Sequence, residues 1–183
     1  TLPLSWSVSA GAPPAGLTLN SASGVLSGTP TTAGTYNFTA LVTDNAAATA
    51  SRAFTLTINP ALAITTTSPL PASTVGVTYA VTLAASGGTL PLSWSVSAGT
   101  PPPGLTLNPS SGALSGTPTT AGTYNFTAQV ADSVTATTSR AFTLTINPAL
   151  AITTTSPLPT STVGVAYAVT LAASGGTLPL SWS

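Results

Sequence analysis

Apolar and polar side chains alternate strictly along several short stretches of the chain, which is the pattern of a strand with one buried face. In residues 123–130 every second residue from Tyr124 onwards is apolar, and the residues between them are polar. The same alternation recurs in three further stretches, residues 79–83, 90–96 and 142–146. Since no stretch sustains a period of 3.6 residues, the pattern predicts strands and no helix.

Clusters rich in Gly, Pro, Ser and Asn separate these stretches, as turns between strands do. The clusters lie at residues 86–88, 99–104, 108–112 and 116–118. About seven short strands with a turn every 8 to 12 residues are typical of a sandwich of two antiparallel sheets. We therefore predict an all-β fold.

An internal repeat organises the chain. The heptapeptide TLPLSWS occurs at residues 1–7, 89–95 and 177–183, which gives a period of 88 residues, and residues 1–95 differ from 89–183 at only 13 positions. A period of this length is too long for a solenoid unit and suits a whole small domain. We expect the C-terminal part of one module at 1–60, a complete module at 61–148, and the N-terminal strands of the next module at 149–183.

The composition excludes most chemistry. The chain carries two acidic and two basic residues and contains no His, Cys or Met. General acid–base catalysis, an activated nucleophile or a metal cluster needs groups that are missing here, so we expect no enzyme, no catalytic residue, no cofactor and no metal site. Two cations cannot form a surface for nucleic acid. No apolar run reaches the roughly 18 to 20 residues of a membrane-spanning helix, and no such segment is expected.

Six apolar residues occupy the inward phase of adjacent predicted strands, and we expect them to form the core between the sheets. They are Leu92, Trp94, Tyr124, Phe126, Phe142 and Leu144.

Each repeat has one Asp and one Arg, and these two charged residues flank a short loop. Asp44 and Arg52 stand in one repeat, and Asp132 and Arg140 in the next. A salt bridge at the base of each hairpin is the favoured interpretation, and a surface pair of this kind contributes about 0 to 1 kcal/mol. A contact between modules or between chains is the alternative.

Glycans are candidate partners. Residues 37–39 and 125–127 match the N-glycosylation sequon, although each lies within a predicted strand, and the Thr-rich stretches at 65–68 and around Thr155 offer hydroxyls for O-linked sugar. An exposed Trp would offer a sugar-stacking platform, whereas the alternation of Trp94 with Ser places it on the apolar face.

The order of motifs in one repeat resembles a known family. Residues 102–118, PPGLTLNPSSGALSGTP, are followed by AGTYNFT at 121–127, and the first repeat carries the same pattern at 16–19, 24–30 and 33–36. This run resembles the putative Ig domain family of bacterial surface proteins, which is related to dystroglycan-type cadherin-like modules. The resemblance implies tandem immunoglobulin-like β-sandwiches that act as spacers, adhesin stalks or accessory modules. Calcium binding by acidic clusters, as in cadherin-like relatives, is not expected with one Asp per repeat.

Together these features predict a secreted, non-catalytic structural protein at the cell surface. A neutral, Thr-rich surface offers little electrostatic resistance to lateral packing, so self-association of identical repeats is expected. We expect a repetitive Ig-like array that forms a bacterial surface filament or an adhesin stalk. The alternative is a carbohydrate- or ligand-binding accessory module of a large secreted protein.

Overall fold

The structure is a computed structural model that describes residues 4–177 and 179–181. Its regular elements are all strands, sixteen among the described residues, so the expectation of an all-β fold is confirmed. Among these residues no helix is long and apolar enough to cross a membrane. The chain divides into two compact units: the first comprises the residues up to Leu62 with Ser86–Thr89, and the second comprises Ala63–Ala85 and the residues from Leu90 onwards.

The first unit contains two small sheets. Its strands are β1 (Ser5–Gly11), β2 (Leu17–Leu19), β3 (Leu26–Gly28), β4 (Gly34–Thr43) and β5 (Thr49–Ile58). Strands β1, β4 and β5 form an antiparallel sheet in that order, and β2 pairs with β3. The long β4–β5 hairpin runs from the pair Gly34 and Ile58 to the pair Thr43 and Thr49.

A sandwich of two larger sheets lies downstream. Its strands are β6 (Ala63–Ile64), β7 (Ser73–Thr74), β8 (Tyr79–Thr82), β9 (Ala85–Ser86), β10 (Ser93–Gly99), β11 (Leu105–Leu107), β12 (Ala113–Gly116), β13 (Gly122–Ala131) and β14 (Thr137–Asn147). One sheet has the order β10-β13-β14-β7, the other has the order β11-β12-β8, and β6 pairs with β9. Within the two larger sheets the pairs are antiparallel except that β7 runs parallel to β14.

The strand predicted at residues 90–96 starts later than expected. Strand β10 begins at Ser93, and Leu90 is 76% exposed. Pro91 has no N–H for a sheet ladder, so the alternation at 90–92 is not accompanied by strand pairing.

The apolar core lies between the two sheets of this sandwich. Four of the six expected core residues, Trp94, Phe126, Phe142 and Leu144, are buried. The other two, Leu92 and Tyr124, are only half-buried. The Tyr124 ring keeps its hydroxyl close to the surface, where it donates a hydrogen bond of 3.1 Å to the Thr120 carbonyl.

Residues after 148 form little regular structure. Strands β15 (Ala151–Ile152) and β16 (Ala173–Ser174) pair with each other. Between them, the positions 88 residues after β7 and β8 are not in strands. An extended segment needs a paired neighbour to become a stable strand, and residues 153–172 have no such ladder in the part of the chain that the structure describes.

Candidate functional site

The two Asp residues close hairpin turns. Asp132 follows β13, and its Oδ1 accepts hydrogen bonds from the backbone N–H of Val134 at 3.0 Å and of Ala136 at 2.8 Å. Asp44 accepts the equivalent pair of bonds at 2.9 and 2.8 Å in the turn after β4. A carboxylate that bonds the amides two and four residues onward stabilises a turn. This geometry gives both side chains a structural role.

The two Arg residues lie within the strands that follow these turns. Arg140 stands opposite Ala128 in the ladder, and its Nη1 donates a 3.2 Å hydrogen bond to the Ile64 carbonyl, which ties β14 to β6. The Arg52 guanidinium lies 6.0 Å from the centroid of the Phe54 ring, within the range of a cation–π contact. The salt bridges expected between Asp44 and Arg52, and between Asp132 and Arg140, stay predictions.

The sequon asparagines take part in the sheet surface. The Asn125 Oδ1 accepts a hydrogen bond of 2.8 Å from the Thr143 hydroxyl directly across the β13–β14 ladder. Asn37 and Thr55 make the same bond at 2.7 Å. These bonds hold both side chains against neighbouring strands, and glycosylation of either stays a prediction.

The Trp94 ring in the second unit is not available to a ligand. Trp94 is only 6% exposed, so it offers no face on which a sugar could stack. Trp6 of the first unit is half-buried. Trp182 lies outside the described residues.

An apolar groove opens in the first unit. It has a volume of about 290 Å³. We call it the apolar groove, and its lining includes Trp6, Leu19, Leu26, Phe38, Ala40 and Phe54. Phe54 at its edge is 44% exposed. The alternation pattern predicts Trp94, Phe126 and Phe142, the counterparts of Trp6, Phe38 and Phe54, as core residues, and it gives no sign of an open groove in the first unit.

The corresponding surface of the second unit is covered by strands. Leu70, Tyr79 and Leu83 are buried, and so are Leu114 and Phe142, the counterparts of Leu26 and Phe54. Strand β8 pairs with β12, and β7 pairs with β14. Residues 68–83 therefore close the sandwich that the first unit leaves open.

Backbone hydrogen bonds fix the path of this covering segment. The Leu70 N–H donates to the Thr143 carbonyl at 2.9 Å, and the Val75 N–H donates to the Asn147 carbonyl at 3.0 Å. The Leu83 N–H donates to the Gly112 carbonyl at 2.9 Å. In the first unit, no described residue forms the corresponding hydrogen bond with Thr55, the counterpart of Thr143. Among the described residues β5 is therefore the edge strand of its sheet, whereas β14 has β7 beside it.

Comparison with known proteins places the chain among immunoglobulin-like domains. A family model described as Putative Ig domain matches residues 1–59 and 61–147. No curated protein matches the chain.

Several solved structures are similar to part of the chain. One is a protein named as a putative alpha-galactosidase from Bacteroides fragilis, with 21% identity, a TM-score of 0.41, and coverage of 46% of this chain and 17% of that one. The extracellular domain of protocadherin GammaB4 has 19% identity, a TM-score of 0.45, and coverage of 82% and 29%. Mouse cadherin-23 EC22-24 has 14% identity, a TM-score of 0.43, and coverage of 79% and 54%. The chain therefore spans less than a third of the length of the first two structures.

Proposed function

Because the chain belongs to the Putative Ig domain family, we propose that it is a non-catalytic structural part of an extracellular protein. Its Ig-like modules form a repetitive array that serves as a bacterial surface filament or as the stalk of an adhesin. The array is secreted or displayed at the cell surface, and its partners are identical repeats.

Near-exact repetition of structure is the observation that carries this proposal. The β4–β5 ladder and the β13–β14 ladder each contain ten residue pairs, and the same positions pair in both after a shift of 88 residues. The β-bulge after Val8 in the β1–β4 pair also recurs after Val96 in the β10–β13 pair. Modules that present the same faces repeatedly meet the geometric requirement for a recurring contact.

The surface chemistry supports the same role. The charged fraction is 2%, and the formal net charge is zero. Contacts between such modules depend on hydrogen bonds and apolar burial, because few charges are available to attract or repel. Added salt therefore has little effect on these contacts, because salt screens interactions between charges and few charges are present.

Immunogold electron microscopy of the cells that make this protein tests the proposal. Antibodies raised against the 183-residue chain should label extended structures outside the cell. A wash with about 1 M NaCl should leave the labelled structures in place, because the Debye length of about 3 Å at this salt removes only charge-based contacts. Label confined to the cell interior, or labelled structures that dissolve in the salt wash, would contradict the proposal.

A further inference from the structure

The segment that follows β5 is hydrogen-bonded to the turn that follows β9. The Gly88 N–H donates a hydrogen bond of 2.9 Å to the Pro60 carbonyl, and the Asn59 Nδ2–H donates one of 3.0 Å to the Thr89 hydroxyl. All four residues belong to the first compact unit. We call this set of contacts the first latch, and it comprises residues 59–61 and 87–89.

The turn of the first latch requires a glycine. Gly87 has a φ of +73°, and a Cβ atom built there would lie 2.2 Å from the Ala61 carbonyl oxygen. Any other residue at this position meets both backbone strain and a clash with main-chain atoms, which cannot rotate away as a side chain can. The close approach of the two backbones therefore depends on Gly87.

The same contacts recur 88 residues onward. The Gly176 N–H donates to the Pro148 carbonyl at 2.8 Å, and the Asn147 Nδ2–H donates to the Thr177 hydroxyl at 3.4 Å. A Cβ atom on Gly175 would again lie 2.2 Å from a carbonyl oxygen. We call these contacts the second latch, and it comprises residues 147–149 and 175–177, all within the second compact unit.

The second latch also contacts the neighbouring strand. The hydroxyls of Thr74 and Thr177 form a hydrogen bond of 2.9 Å. Thr74 ends β7 and stands opposite Asn147 in the parallel pair of β7 and β14. The Thr177 hydroxyl therefore contacts the ends of both strands.

Connections between domains are ordinarily exposed and flexible, and proteases cut at such sites. Here each connection lies directly beside a strand pair, β6 with β9 in one place and β15 with β16 in the other. We propose that the two latches hold the connections between repeats closed, so that a connection becomes accessible to proteases only when its latch opens. The partner that the segment after β5 or β14 fits is the Gly-Gly-Thr turn of the following repeat.

This inference goes beyond the proposed surface role and does not rest on it. Closure of the connection is measured on the purified chain, whereas the surface role is measured on cells. A latch that fails in solution leaves the surface role unaffected, and label inside the cell leaves the latch unaffected.

The first test follows amide hydrogen exchange by NMR in the purified 183-residue chain. The Gly88 and Gly176 amides report on the two latches, because each donates to the carbonyl of a connecting proline. Gly87→Ala should accelerate exchange at Gly88 by more than about tenfold, since strain and the clash both oppose the closed turn, and should leave Gly176 unchanged. Gly175→Ala should have the reverse effect, so each variant is the matched control for the other.

A milder pair of substitutions tests the side-chain contact without backbone strain. Asn59→Ala removes the donor to Thr89 and should accelerate exchange at Gly88 by about two- to tenfold, as expected for the loss of one hydrogen bond. Thr89→Ser keeps the hydroxyl, and Gly88 should then exchange as in the wild type. Both positions lie outside the strands, so these variants should fold even if Gly87→Ala does not.

The second test exposes the folded chain to thermolysin, which cleaves before large apolar residues. Leu62 directly follows the first connection and offers such a bond. The wild-type chain should resist cutting before Leu62, and Gly87→Ala should be cut there. Gly175→Ala is the control and should leave this bond intact. Mass spectrometry of the fragments identifies the bond, and the rate of cutting follows the open population when opening is fast relative to cleavage.

Acceleration confined to the altered latch, together with cutting before Leu62 in Gly87→Ala, would establish the proposal. A wild-type chain that is cut before Leu62 as fast as Gly87→Ala would overturn it. So would exchange at Gly88 that neither Gly87→Ala nor Asn59→Ala changes. Acceleration throughout β13 and β14 in Gly87→Ala would also overturn it, because the turn would then belong to the core of the second unit and not to a local latch.

Discussion

Phe54 and Phe142 occupy the same position in successive repeats and lie within the same local sequence, yet Phe54 is 44% exposed and Phe142 is 1% exposed. Each ring contacts the aromatic ring across its own hairpin, with centroids 5.8 Å apart for Phe38 and Phe54 and 5.9 Å apart for Phe126 and Phe142. The local pair is therefore the same in both regions. Only the second region has residues 68–83 packed over it.

The difference shows that the pairing of side chains across a hairpin and their burial depend on different parts of the chain. A β-hairpin brings its own cross-strand pairs together through the register. Exclusion of water from those pairs needs the opposite sheet and the edge strand, which come from residues distant in sequence. Leu114 illustrates this point, since it is fully buried on β12 beside the neighbouring strand β8, whereas its counterpart Leu26 is half-buried.

The largest effect should come from truncating the two equivalent aromatic rings. Phe142→Ala should lower the free energy of unfolding of the second unit by about 3 to 5 kcal/mol, because it leaves a cavity in a closed core. Phe54→Ala is the matched variant in an open groove and should cost less than about 2 kcal/mol, because much of its ring is already in water. Denaturant titration with hydrogen exchange at β5 and β14 measures both. Equal losses would show that the closed sandwich adds nothing at this position.

Removal of a turn carboxylate should have an intermediate effect. Asp132→Ala leaves the N–H groups of Val134 and Ala136 without the acceptor that they have now, and should destabilise the second unit by about 1 to 2 kcal/mol. Asp132→Asn keeps an oxygen in the same place and is the control, for which most of the stability should be retained. Thermal unfolding compares the two variants. An Asn variant as unstable as the Ala variant would indicate that the negative charge, and not the turn hydrogen bonds, is what matters.

The smallest effect at neutral pH concerns Tyr79. Burial raises the pKa of its hydroxyl, and no described residue forms a hydrogen bond with the phenolic oxygen. In the unfolded chain the Tyr79 hydroxyl therefore loses its proton near the ordinary tyrosine pKa of about 10, at a lower pH than in the folded state. As the pH rises above this value, the unfolded state gains from deprotonation and the folded state loses stability relative to it. Tyr79→Phe should match or exceed the wild-type stability by up to about 1 kcal/mol at pH 7 and remove this part of the alkaline loss.

Unfolding measured from neutral to alkaline pH checks this expectation. Tyr167→Phe changes the exposed counterpart and serves as the control. An alkaline loss that persists unchanged in Tyr79→Phe would assign it to another group.

Several features of this protein could be predicted from the sequence because they depend on local pattern. The alternation around Tyr124 and Phe126 predicted a half-buried strand, and β13 extends from Gly122 to Ala131. The all-β class followed from the same alternation and from the turn clusters, and the motif run at 102–127 indicated the family. These inferences need only neighbouring residues, since a pleated strand exposes alternate side chains on opposite faces.

The tertiary structure alone decided which of those faces are closed. Alternation assigns a residue to one face of its strand but does not identify the strand that covers it. Tyr79 and Tyr167 have nearly identical neighbours in the sequence, yet Tyr79 is buried and Tyr167 is exposed. The apolar groove has the same origin, because its residues carry a core pattern without the strands that bury their counterparts. Burial is a property of non-local packing, and two copies of one sequence differ in it as soon as their long-range partners differ.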